Sequence, residues 1–125
     1  PAATATCSLV GPTWRATYSE AAGFDVQEDV VFGSDLSFSQ TLVASSSGDA
    51  CAANTVTWTG DYHVEDDSTM VVSYIRCTAS GPGCLACGAT REELTRYKFA
   101  YDCLGLTTVA ADSETARDYV AVARR

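Results

Sequence analysis

From residue 13 onward one pattern governs the chain: apolar and polar side chains alternate in short segments rich in β-branched and aromatic residues. A period of two sets successive side chains on opposite faces of an extended backbone, so it suits strands with one buried face and not helices. Eight segments carry it: TWRATYS (13–19), VQEDVVF (26–32), DLSFSQTLVAS (35–45), NTVTWTGDYHVE (54–65), STMVVSYIRCT (68–78), REELTRYKFAYD (91–102), LGLTTVA (104–110) and RDYVAVAR (117–124). The third places Leu36, Phe38 and Leu42 on one face. The fourth does the same with Val56, Trp58, Gly60, Tyr62 and Val64, and the sixth with Thr95, Tyr97, Phe99 and Tyr101. Only the last segment, within TARDYVAVARR, also fits a helix, and its Val-Ala-Val run favours a strand.

The connections sort by length. With the first strand drawn upward, the links at the base fall near Gly33-Ser34, at Asp66-Asp67 and near Cys103, and all are tight. Those at the other end are long: EAAGFDV, SSSGDACAA, ASGPGCLACGAT and ADSETA. A meander of this length hides its edges best by closing on itself. The expected fold is therefore all-β, an antiparallel up-and-down barrel of about eight strands built as one domain over residues 1–125, with a β-sandwich as the competing arrangement. Its loop-rimmed end is a mouth, where small ligands enter such barrels.

The six cysteines follow the same division. Cys7 and Cys103 fall at the base, whereas Cys51, Cys77, Cys84 and Cys87 fall at the mouth. Bridged Cα atoms must approach within about 7 Å, and a strand holds the two ends much farther apart. The expectation is a Cys7–Cys103 bridge and two bridges among the upper four, whose pairing stays open. In CTASGPGCLACGAT (77–90) the Cys84-Leu-Ala-Cys87 spacing also fits a redox dithiol, and with Cys51 and Cys77 a zinc knuckle. No helix N-terminus is available there to acidify a thiol, and a stapled loop is the simplest reading. An even cysteine count in a chain opening PAATATC without an initiator methionine points to a mature, secreted protein in an oxidising compartment.

Net charge is −8 and Lys98 is the only lysine, so no basic stripe is available to follow phosphates, and nucleic acid is not an expected partner. No segment approaches the roughly 18 consecutive apolar residues of a membrane span.

Trp14 opening the first strand within Gly11-Pro12-Thr13-Trp14, Arg124 or Arg125 ending the last, and the alternating long and short links resemble the calycins, the lipocalins and their relatives. The lipocalin motif is Gly-x-Trp, one residue shorter than the stretch here. The resemblance implies a barrel whose terminal arginine crosses the tryptophan at the closed end.

Functional candidates follow from which faces point inward. Phe38, Trp58, Tyr62, Tyr97, Phe99 and Tyr101 are the expected lining of a cavity for a small, largely apolar molecule, the alternative being that they fill the core. Arg76, Arg96 and Lys98 include the cations available to turn inward toward a ligand carboxylate. Asp61, His63 and Glu65 share a face in a pattern that suits a metal or a general base. That face is opposite Trp58 and Tyr62 by the alternation of the intervening residues, so solvent is their expected neighbour and no metal or cofactor is assigned. The sequence thus points to a secreted carrier-type barrel. Two alternatives stay open: a barrel enzyme of isomerase or cyclase type using a tyrosine or carboxylate, and an inhibitor or interaction module acting through the Cys84–Cys87 loop.

Overall fold

The computed structural model describes residues 7–20, 23–45, 51–87, 94–111 and 115–122. Eight strands run in order: β1 (Thr13–Ser19), β2 (Asp25–Phe32), β3 (Ser37–Ser45), β4 (Asn54–Asp66), β5 (Thr69–Ala79), β6 (Leu94–Tyr101), β7 (Gly105–Ala110) and β8 (Ala116–Val122). Each pairs antiparallel with its neighbour in sequence, and β1 pairs with β8 through Thr13↔Val122 and Arg15↔Val120, closing the barrel. The fold is an all-β meander barrel, and the terminal segment that also fitted a helix is its last strand. The expected third and seventh strands are shorter at their starts, and residues 91–93, expected to begin the sixth, lie outside the described residues.

The short links (33–36, 67–68 and 102–104) share one end, the long ones (20–24, 46–53, 80–93 and 111–115) the other. Each short link is organised by an aspartate, whose carboxylate accepts backbone N–H groups just downstream and so fixes the turn. Asp35 Oδ1 accepts from Ser37 N at 3.1 Å, Asp66 Oδ1 from Ser68 N at 2.9 Å, and Asp102 Oδ1 from both Leu104 N and Gly105 N at 2.8 Å. This chemistry is strictly local, which is why the turns are so tight.

The base is sealed by Trp14, which is wholly buried; its Nε1 donates to the Leu9 carbonyl at 3.0 Å and its ring meets Tyr101 edge-on at 6.3 Å. Cys7 and Cys103 are bridged beneath it, their Cα atoms 4.9 Å apart. Arg124 and Arg125 lie outside the described residues. Above the tryptophan, Val30, Phe32, Phe38, Trp58, Tyr62, Met70, Val72, Tyr74, Phe99 and Leu106 pack into one buried cluster. Its rings meet edge-to-face: Phe32–Tyr62 at 4.9 Å, Phe38–Tyr74 at 5.4 Å and Trp58–Tyr74 at 5.6 Å. These are the separations at which the ring quadrupoles attract.

Several details differ from the alternation, among them Val64, which is exposed near the end of β4 and does not join the inward face with Trp58 and Tyr62. Leu36 does not join the inward face of β3 but sits exposed in the β2–β3 turn at φ 69°, where its carbonyl accepts from Tyr62 N. Gly60 does not make room in the interior. The β4–β5 register slips beside it, with Thr59↔Arg76 followed by Gly60↔Tyr74, so Ile75 is an extra residue bulged outward. A Cβ on Gly60 would lie 1.8 Å from the Ser73 carbonyl oxygen, so close approach of the two backbones requires glycine there.

Candidate functional site

The upper interior is polar, and its centre is Glu28. On β2 the inward positions are Val26, Glu28, Val30 and Phe32, so parity alone carries a carboxylate into the barrel. Glu28 is 3 % exposed. Four donors from three strands, β1, β3 and β8, converge on it: Oε1 accepts from Tyr18 Oη at 3.1 Å and Arg117 Nη1 at 3.3 Å, and Oε2 from Gln40 Nε2 at 2.8 Å and from the Tyr119 hydroxyl. A carboxylate offers about four lone-pair sites, and these donors take them all.

Burial raises the Tyr119 hydroxyl far above its ordinary pKa, and the negative charge and hydrogen bond of Glu28 push it further. Tyr18 is raised for the same two leading reasons, burial first and then the charge of Glu28. Both phenols are therefore neutral donors at ordinary pH. The Arg117 guanidinium lies 3.7 Å over the Tyr18 ring and keeps 35 % of its side chain accessible, so it neutralises Glu28 while still facing the mouth.

Two adjoining spaces border this cluster. A mouth cavity of about 290 Å³ is bounded by Tyr18, Leu42, Tyr97, Ala110, Arg117 and Tyr119, among others. Below it lies a chamber of about 30 Å³ walled by apolar side chains such as Met70 and Val72. Glu28, Gln40, Tyr97, Thr108 and Tyr119 line both, so the floor of one is the roof of the other. A broader depression of about 540 Å³ on β1–β3 is lined partly by Thr17, Gln27 and Val43. These residues belong to the outward-facing set of their strands, but the inward-facing Tyr18 and Val26 line it too, so the depression straddles the rim of the barrel.

The loop opened by Cys77 packs onto the barrel at its long-loop end. Cys51 is bridged to Cys84 and Cys77 to Cys87, with Cα separations of 5.0 and 5.8 Å. With every sulfur bridged, neither a zinc knuckle nor a free dithiol exists there. Asn54, at the top of β4, holds the loop from inside: its Nδ2 donates to the Gly81 and Leu85 carbonyls and its Oδ1 accepts from Leu85 N. Leu85 thereby packs against both buried clusters, including the one formed by Phe24, Val26 and Ala44.

The six aromatic candidates divide by height. Tyr97 lines the mouth and the chamber, and Phe38 lines the chamber. Tyr62 and Phe99 are buried in the core below, with Tyr62 Oη donating to the Gly33 carbonyl at 2.9 Å, whereas Trp58 is buried higher, opposite Gln40 in the β3–β4 pairing, and lines neither space. Tyr101 is 40 % exposed at the base, stacked on Phe99. Of the cations, Arg96 pairs outside the barrel with Glu65 at 2.9 Å, and Arg76 and Lys98 are exposed. Asp61 and His63 are exposed as well, on the solvent face that the alternation gave them. Among the described residues the inward cation is Arg117 and the inward carboxylate is Glu28. Both were readable: each shares strand parity with apolar or aromatic neighbours, Glu28 with Val26 and Val30, Arg117 with Tyr119 and Ala121. Among protein-family models and curated proteins, none matches this chain.

Proposed function

We propose that this protein is a small-molecule-binding barrel whose ligand enters at the long-loop end and seats in the mouth cavity. The observation that carries this reading is the cavity itself: about 290 Å³, near the lower end of volumes that enclose small ligands, with tyrosine rings, Leu42 and Ala110 as walls and a few converging polar groups as floor. Burial of apolar area would supply the affinity and the floor would orient the ligand. The three disulfides support extracytoplasmic residence. The closed meander and the buried tryptophan at its base support calycin kinship.

The enzyme reading needs an inward ionisable group, and Glu28 meets that condition. Its lone pairs, however, are all occupied by protein donors, and Tyr18 and Tyr119 are held neutral, so no group of the cluster stands ready to take a substrate proton. That balance favours binding over turnover. Native mass spectrometry of the purified protein tests the reading. A non-covalent adduct of a few hundred daltons is expected, and it should be lost in Ala110→Trp, which fills the mouth. An adduct that survives Ala110→Trp would place the ligand elsewhere.

A further inference from the structure

Gln40 carries an unanswered question. It is 7 % exposed and lines the small chamber, and its Oε1 is buried without a hydrogen-bond partner. The orientation of the amide is dictated by chemistry. Glu28 is an acceptor, so the Nε2 end must face it, and the opposite orientation would set two acceptors against each other. The carbonyl end is therefore left without a donor in an enclosed site, a condition that costs about as much as a lost hydrogen bond and that native proteins seldom tolerate.

What completes it must satisfy three conditions at once. It must bring a hydrogen to give, which a carbonyl, ether or carboxylate cannot. It must fit about 30 Å³, the space of one water or one hydroxyl. It must be uncharged, because Arg117 already neutralises Glu28 and a second charge here would be buried without a counter-ion. The chamber adjoins the mouth across five shared side chains, so a substituent of a ligand lying in the mouth would enter it by parting them. Tyr97 adds a second hydroxyl, paired with Tyr74 at 2.6 Å, through which the substituent's oxygen can be recognised as well.

We propose that the chamber is a hydroxyl socket, so that the ligand is a neutral alcohol or phenol on an apolar body, its O–H donating to Gln40 Oε1. This rests on the mouth being the binding site and names the class of molecule it takes. A site built to satisfy a hydroxyl discriminates strongly against the analogue lacking one, since the protein's own acceptor is then left unpaired.

The test uses the full chain with its disulfides intact and three probes substituted at the same ring position: naphthol, methoxynaphthalene and naphthoate. Calorimetric titration should give naphthol an affinity at least about 10-fold above the other two. In Gln40→Met the preference for naphthol over its methyl ether should collapse to within about 3-fold, with apolar burial retained. The ligand series needs no folded variant, so loss of stability in Gln40→Met leaves the inference testable. Equal binding of naphthol and methoxynaphthalene would mean that the chamber keeps a resident water and would overturn the socket. So would tightest binding of naphthoate abolished by Arg117→Leu, which would make the mouth an anion site. Either result leaves the mouth reading standing. No heat from any of the three probes also overturns the socket, whereas an adduct surviving Ala110→Trp overturns the mouth reading itself.

Discussion

Replacing Glu28 with glutamine probes the buried charge around which the upper barrel is organised. Hydrogen bonds to an ionised group contribute about 1.5–3 kcal/mol each, and Glu28 accepts from Tyr18, Gln40, Arg117 and Tyr119. The four do not add. An amide oxygen still serves one pair of donors, and the amide nitrogen can face Tyr18, whose hydroxyl rotates to accept. Arg117, 35 % accessible, can turn toward water and recover much of its hydration. The expected loss is therefore about 2–3 kcal/mol, well beyond the roughly 0.5 kcal/mol of an ordinary surface substitution. For a domain of this size that corresponds to a fall in Tm of about 8–12 °C. Urea unfolding with the disulfides intact, followed by tryptophan fluorescence, should show the midpoint fall with the m-value unchanged. Glu28→Leu, which strands Gln40 Nε2 and the Tyr119 hydroxyl as well as the charge, should cost about 3–5 kcal/mol. A Glu28→Gln protein within about 0.5 kcal/mol of wild type would refute the reasoning, since it would mean that water serves the four donors as well as the carboxylate does.

Other consequences are open to simpler tests. Tyr18, Tyr62 and Tyr119 all have raised pKa values in the fold, so above about pH 10 the unfolded chain loses protons that the folded one keeps. These three groups should leave stability unchanged below that pH and then make it fall steeply, with the tyrosinate absorbance of Tyr18, Tyr62 and Tyr119 appearing together with unfolding and not before it. At acid pH the sign reverses: hydrogen bonds from the Ser37 side chain and backbone hold Asp35 low, backbone N–H groups hold Asp66 and Asp102 low, and their stabilisation is lost as pH falls through the carboxylate range. Changing all three to asparagine should flatten that limb of the stability–pH curve. Gly60→Ala should lower stability by about 1–3 kcal/mol in urea melts, because the Ser73 carbonyl must retreat. Removing both Cys7 and Cys103 as serines should cost about 4–5 kcal/mol on the chain-entropy treatment, read as a fall in Tm.

The staves and the base were legible because their causes are local. Alternation defines each strand, and a turn built from one aspartate and its next few backbone N–H groups needs nothing from the rest of the chain. The Cys7–Cys103 bridge followed from strand direction alone. The pairing of Cys51 with Cys84 and Cys77 with Cys87 did not, because it depends on how the loop folds back onto Asn54, a long-range contact with no short-range signature. The polar cluster was partly legible. VQEDVVF puts Glu28 in phase with Val26 and Val30, but strands with charges on both faces are common, and only closure of the barrel brings Gln40, Tyr18, Arg117 and Tyr119 onto the same carboxylate. Leu36 and Gly60 departed from the alternation because a turn and a bulge are decided by backbone approach, which side-chain pattern does not report.

The saturation of Glu28 has an evolutionary corollary. Its two mouth-side donors, Tyr18 and Arg117, attach to the same oxygen, so losing either through a single codon change would bare one acceptor site at the floor of the mouth cavity. On the proposed binding role, a barrel of this design would stand one mutation from a primitive proton-transfer site, with the remaining partners already holding the group in place.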